Sequence, residues 1–239
     1  MPVTVLKLTI PTYTEPAPET LPMFAENRIH QRSSGNPYPN AVVNRTHDSV
    51  ISDKEYTAVL LENEYISVTV LPELGGRIFR AVDKRTGYDF FYHQSVIKPA
   101  LIGALGSWIS GGVEFNWPYH HRPSTFLPVD FTTETEPDGT VAVHLSENDP
   151  FDRMKGMVTL RLSPDSTVLE TAVRIFNCTP HRHSFLWWEN AAVPVHEDYH
   201  IFFPGDVRRV YFHYRRDTNT LFCHNVRCKR RLMQFGERM

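Results

Sequence analysis

Apolar residues recur at every second position in a series of short segments along the chain. V-T-V-L-K-L-T-I at 3–10 has that period of two and predicts a strand. Apolar, β-branched runs at 56–61 and 65–71 flank the turn E-N-E and predict a hairpin. P-E-L-G-G at 72–76 turns into a strand at 77–82. D-K-R-T-G at 83–87 is a tight polar turn before an aromatic strand at 88–93. Further strands are expected at 113–117, 129–131, 141–145, 157–162, 168–176, 184–195 and 200–203. The signals P-D-G, E-N-D-P and S-P-D-S separate several of them. Proline-rich 12–22 reads as a covering segment or extended linker, and R-S-S-G-N-P-Y-P-N at 32–40 as a loop. No segment sustains a helical apolar period over three turns, and no internal repeat is visible. Strands and turns at this spacing predict an all-β sandwich or barrel.

Composition fits that picture. The chain has 239 residues, 41% hydrophobic and 22% charged, enough to build a core. The formal net charge is −2, which gives no reason to expect nucleic acid or a membrane surface as partner. The charge is unevenly spread. Residues 207–239 carry nine Lys or Arg against two acids, a balance of +7, which leaves −9 for residues 1–206. The expected division is therefore a β-sandwich domain at 1–206 and a basic tail at 207–239. Three cysteines, Cys178, Cys223 and Cys228, do not make a disulfide framework. The N-terminus lacks the charged and apolar regions of a signal peptide, and no window approaches a membrane span. A soluble, cytoplasmic protein is the expectation.

Candidate chemistry concentrates at 108–123, W-I-S-G-G-V-E-F-N-W-P-Y-H-H-R-P. Rings beside a carboxylate, an amide, histidines and an arginine suit a sugar. Its C–H face packs on an aromatic ring, and its hydroxyls need paired donors and acceptors. If 113–117 is a strand, Val113, Phe115 and Trp117 face one way and Glu114 and Asn116 the other. A buried Glu114 then needs a partner. Arg77 or Arg122 could serve, or a substrate hydroxyl. Either His120 or His121 could act as a general acid near neutral pH. Gly75-Gly76 before Arg77 reads as a bulge or a positive-φ turn, or else as the device that aims Arg77 at a ligand. A second concentration, Trp187-Trp188-Glu189-Asn190, puts one tryptophan on each side of a sheet. One is core. The other, with Glu189 or Asn190, would line a cleft, and Glu114 with Glu189 could form the carboxylate pair of a glycoside hydrolase. His181-x-His183 and Cys223-x4-Cys228 with His224 lack further ligands at a diagnostic spacing, so neither a metal nor a cofactor is expected.

Three stretches carry a resemblance: L-E-N-E-Y-I-S-V-T-V-L-P-E-L-G-G-R-I, S-G-G-V-E-F-N-W-P-Y-H-H-R-P and N-C-T-P-H-R-H-S-F-L-W-W-E-N-A-A-V. Together they are similar to the galactose-mutarotase-like superfamily. They resemble more closely an uncharacterised domain family within it, the DUF5107 type, often found N-terminal to tetratricopeptide repeats in bacterial proteins. The resemblance covers about residues 3–205. It implies a β-supersandwich of antiparallel strands with a sugar-binding cleft on a concave face, and hexose chemistry by a histidine acid and a glutamate base. Where a mutarotase carries its acid histidine, this chain has W-W-E-N. The base normally comes later than the recognisable sequence. The cleft position carries over, with Glu114, His120, His121 and Glu189 as candidate catalytic groups. Arg77, Asn116, Trp117, Arg122, Trp187, Trp188 and Asn190 are the candidate sugar-binding groups. The basic segment reads either as a tail for an acidic partner or as a truncated or frame-shifted end, which leaves the sandwich incomplete at its C-terminus. The function expected is carbohydrate binding, with epimerase-like or hydrolase-like acid–base chemistry. The alternative is a non-catalytic sugar-binding module or an inactive fragment.

Overall fold

Strands make up nearly all regular structure in the computed structural model, which describes residues 3–14, 17, 51–101, 107–118, 125, 127–150, 152–206, 209–211, 220–222 and 226–227. In chain order these are β1 (Thr4–Tyr13), β2 (Ile51–Glu62), β3 (Ile66–Leu71), β4 (Arg77–Asp83), β5 (Tyr88–Asp89), β6 (Ala100–Leu101), β7 (Ser107–Trp108), β8 (Val113–Asn116), β9 (Asp130–Thr135), β10 (Val141–Asn148), β11 (Met154–Leu162), β12 (Leu169–Asn177), β13 (Trp188–Ala191), β14 (His200–Ile201), β15 (Arg209–Tyr211), β16 (Thr220–Phe222) and β17 (Val226–Arg227). No α-helix occurs among the described residues. One 3-10 turn spans Pro72–Leu74.

The chain divides into two units, Met1–Val193 and Pro194–Met239. In the first, β1-β2-β3-β4-β8-β13 form an antiparallel sheet to which β5 adds beside β4, making seven strands. A second antiparallel sheet has four strands in the order β12-β11-β10-β9, and β6 pairs with β7. In the second unit β14 pairs with β17 and β15 with β16. The segment read as a basic tail therefore contains paired strands.

Strand parity builds the core of the first unit. Val59 and Leu61 of β2, Val68 and Val70 of β3, Ile78 of β4, and Val113 and Phe115 of β8 point one way. They pack against Val143, Leu145, Val158 and Leu160 of the smaller sheet. The two sheets thus share one apolar layer, the defining feature of a sandwich. The alternate residues of the larger sheet are buried as well. Ile10, Tyr56, Ala58, Leu71 and Leu74 cluster with Ile97 and Ile109 on its outer face. The candidate site lies on this outer face.

Asn63 links the two sheets at one end. It is 1% exposed. Its Nδ2 donates to the carbonyls of Ser163 (2.9 Å) and Ser166 (2.7 Å), between β11 and β12. Its Oδ1 accepts from the backbone N–H of Tyr65 and Ile66, both at 2.8 Å. The E-N-E turn is thus a four-bond joint as well as a hairpin.

Several strand boundaries differ from the sequence expectation. β1 runs on through Pro11 to Tyr13, which an outermost strand tolerates because the missing N–H faces away from its one partner. β9 continues through polar T-T-E-T with all six residues exposed, so neither face is under hydrophobic selection and no alternation marks it. The expected strand at 184–195 reduces to Trp188–Ala191, and that at 88–93 to Tyr88–Asp89. Only those residues find a ladder partner.

Candidate functional site

The site is built on the join between β4 and β8. Gly112 has φ +66°, and a Cβ there would lie 2.0 Å from the Ile78 carbonyl oxygen. Only glycine lets β8 approach β4 this closely. The Gly112 N–H donates to the Tyr92 carbonyl at 2.7 Å, and its own carbonyl accepts from Ala192 N–H at 2.9 Å. This Gly-Gly pair therefore acts as a structural turn. It also presents the Gly111 carbonyl, which accepts 2.7 Å from Arg77 Nη1.

Arg77 and Glu114 are both internal, 2% and 4% exposed. Arg77 Nη2 lies 3.8 Å from Glu114 Oε2. Glu114 Oε1 accepts from Asn116 Nδ2 at 3.1 Å and from Asn190 Nδ2 at 2.7 Å. A buried carboxylate needs such company, since desolvation without bonds would be costly. Asn116 is fully buried and Asn190 is exposed, so the cluster runs from the interior to the surface.

Register assigns each side chain to a face. Across the β8–β13 pair, Asn116 faces Trp188, Phe115 faces Glu189, and Glu114 faces Asn190. Cross-strand partners share a face. Glu114, Asn116, Trp188 and Asn190 therefore lie on the outer face with Arg77. Glu189 lies on the opposite face, beside Phe115. The two carboxylates do not share a cleft, and the Glu114–Glu189 pair expected from sequence does not form. Glu189 is exposed, yet partial desolvation raises its carboxyl above the ordinary value.

The remaining candidates separate in the same way. Trp187 stacks on Phe115, with ring centroids 6.2 Å apart at 15°, and packs against the inter-sheet core. Trp117 is also internal, against Gly156 of β11. Neither ring belongs to the outer-face group. His120, His121 and Arg122 lie outside the described residues, as do Cys223, His224 and Cys228. His181 and His183 are described. Among the described residues no group of three or more His, Cys, Asp or Glu could hold a metal.

A cavity of about 350 Å³ on the outer face has no counterpart in the sequence expectations. Tyr13, Gln94, Ile97, Lys98, Ile109 and Ser110 line it. Gln94 Nε2 donates to Ser110 Oγ at 3.0 Å, and Lys98 Nζ lies 5.1 Å from the centre of the Tyr13 ring. Ser110 directly precedes Gly111, whose carbonyl holds Arg77, so the cavity adjoins the cluster. Its one sequence signal was the serine of S-G-G. Q-S-V-I-K at 94–98 has no periodicity that would mark a wall.

The family model described as Domain of unknown function (DUF5107) matches residues 34–224. The chain belongs to that family. The match reaches into the basic segment, which the sequence resemblance had stopped short of at about residue 205. The crystal structure of a TPR-domain containing protein from Parabacteroides distasonis has a similar fold, with a TM-score of 0.67 and 22% identity. The alignment covers 82% of this chain and 32% of that one, so the chain spans about a third of that protein's length. At this identity the likeness speaks to fold alone. No helix among the described residues is long and apolar enough to cross a membrane.

Proposed function

We propose that the outer face of the seven-stranded sheet binds a carbohydrate. The observation that carries this reading is the Asn116–Glu114–Asn190 cluster. One internal carboxylate oxygen fixes two carboxamides, the outer of which is exposed beside half-buried Trp188. A carboxamide held by one N–H keeps a second N–H and a carbonyl oxygen for vicinal hydroxyls. An indole on the same face offers the apolar surface that a sugar ring stacks on. A cavity that reaches Ser110, next to the Gly111 carbonyl that holds Arg77, offers apolar Ile97 and Ile109 beside polar Gln94. A formal charge of −2 favours a neutral ligand over a polyanion. The resemblance to galactose-mutarotase-like proteins points the same way.

Recognition is favoured over acid–base chemistry. Glu114 Oε1 is engaged by two amides, and Glu189 belongs to the other face, so the two carboxylates that hydrolysis places about one sugar do not meet here. In this reading Glu114 orients the binding groups and does not touch the sugar. The TPR-containing structural neighbour fits a role as a ligand-binding module within a longer protein.

Ligand-observed NMR with a panel of hexoses, uronic acids and oligosaccharides tests this. A binder is expected, with affinity reduced about tenfold or more by Asn190→Ala and by Trp188→Ala, which corresponds to about 1.4 kcal/mol. No binding across the panel, or binding indifferent to both substitutions, rejects the proposal.

A further inference from the structure

Among the described residues the smaller sheet ends in a long edge strand, paired on one side, whose sequence is complementary to itself. β12 pairs with β11 along its whole length, from Met154↔Asn177 to Leu162↔Leu169, and no other described strand pairs with it. Such an edge presents a row of backbone donors and acceptors to any second strand. Along it, Glu170, Ala172 and Arg174 lie on the exposed outer face, while Leu169, Thr171, Val173 and Ile175 are half-buried on the inner one. Arg174 makes no ion pair among the described residues, and Glu170 has only Arg161 Nε, at 3.9 Å.

We infer that β12 is a self-association edge, pairing antiparallel with β12 of a second copy of this chain about a two-fold axis at Ala172. That register sets Glu170 opposite Arg174 of the other copy, and Arg174 opposite Glu170. On the inner face it sets Leu169 opposite Ile175 and Thr171 opposite Val173. Val168 (67% exposed), just before the strand, meets Phe176 (45% exposed) near its end. From 168 to 176 the opposed pairs are then oppositely charged, apolar or β-branched, the combinations that stabilise adjacent strands. The contact is isologous and closes at two copies. It joins the two four-stranded sheets into one.

The edge strands β9, β13 and β1 lack this property. On β9 the equivalent register, centred on Thr132, opposes Asp130 and Glu134, acid against acid. β13 has four residues with a charged Glu189 in the middle. β1 carries Lys7 and Pro11, and its end is bridged by Ile97 through Thr12. Short length, proline and inward-pointing charge are among the usual guards of a sheet edge, and β12 has none of these three.

Sedimentation equilibrium of the full chain across the micromolar range is the test. Wild type is expected to show a monomer–dimer equilibrium. Glu170→Arg opposes two arginines twice, and Arg174→Glu opposes two glutamates twice. Each is expected to weaken dimerisation about tenfold or more. The double variant Glu170→Arg/Arg174→Glu restores both pairs and is expected to recover the dimer. An equimolar mixture of the two single variants is expected to form a heterodimer that neither forms alone, a result that misfolding of either variant would not produce. A strictly monomeric wild type overturns the inference. So does a dimer that both single variants leave intact, or single-variant losses that neither the double variant nor the mixture repairs.

Discussion

Glu114→Gln separates an internal anchor from a catalytic acid by stability alone. The substitution keeps size and shape but removes the charge. Its remaining carbonyl oxygen can still accept from Asn116 and Asn190, which now sit 3.1 and 2.7 Å from a neutral acceptor. Hydrogen bonds to a charged group contribute about 1.5–3 kcal/mol and neutral ones about 0.5–1.5, so weakening two costs about 2 kcal/mol. The new amide also faces the Arg77 guanidinium, itself 2% exposed, where Oε2 stood at 3.8 Å. Removing one partner of a buried pair costs about 3–5 kcal/mol when nothing replaces it. Arg77 keeps its bond to the Gly111 carbonyl, so the low end of that range applies, and because it already includes the weakened hydrogen bonds the whole cost is about 3 kcal/mol. With a urea dependence of about 2 kcal/mol per molar, the midpoint is expected to fall by about 1.5 M. The control is Glu189→Gln on the neighbouring strand. Desolvation raises the Glu189 carboxyl in the folded chain, so ionising it opposes folding, a penalty absent in acid that develops between the ordinary carboxyl pKa and the raised one and is constant above it. Glu189→Gln is therefore expected to be neutral or mildly stabilising at neutral pH, and without effect in acid. A Glu114→Gln protein as stable as wild type, or a Glu189→Gln protein that is the weaker of the two, would refute the assignment of faces.

Three further outcomes follow from the same structure. Asn63→Asp replaces the two N–H donors of Nδ2 by one carboxylate oxygen facing both the Ser163 and Ser166 carbonyls and is expected to cost about 2–4 kcal/mol in urea unfolding; a neutral effect would show that the joint does not hold the two sheets. Gly156→Ala would set a Cβ 2.3 Å from Cε2 of Trp117 and is expected to cost about 1–3 kcal/mol, with a changed near-ultraviolet circular dichroism spectrum; an unchanged spectrum contradicts the packing of Trp117 on β11. Asp83 is held down to a pKa of about 2, chiefly by the Arg85 side chain, so its stabilisation is present above the ordinary value of 3.8 and lost as pH falls toward 2; carbon NMR should give that midpoint, rising toward 3.8 in Arg85→Ala.

Parity within a strand was legible in the sequence. Val113, Phe115 and Trp117 alternate with Glu114 and Asn116, and the structure keeps that alternation. Alignment between strands was not, because register depends on partners far apart in the chain. Asn190 is 76 residues from Glu114, and a slip of one residue would have brought Glu189 to the carboxylate instead. The same limit hid the joint at Asn63, whose acceptors lie 100 and 103 residues away. β9 was cut short at 129–131 because a strand exposed on both faces carries no apolar signal. The run at 184–195 was read as strand throughout because F-L-W-W is as apolar as any core strand, though Phe185 and Leu186 are exposed. Gly111-Gly112 was visible only as a glycine pair within S-G-G, and the approach of Gly112 to the Ile78 carbonyl explains why glycine is required there.

The most direct test of carbohydrate recognition on the outer face is a nitrogen-resolved NMR titration of the wild-type chain with the best sugar from the panel. The side-chain amides of Asn190 and Asn116 and the indole N–H of Trp188 are expected to shift together and saturate with one affinity, while the indole of Trp117 stays in place. Shifts confined to Trp187 and the Glu189 face, or no saturable shift in the Asn190 amide, would contradict the account.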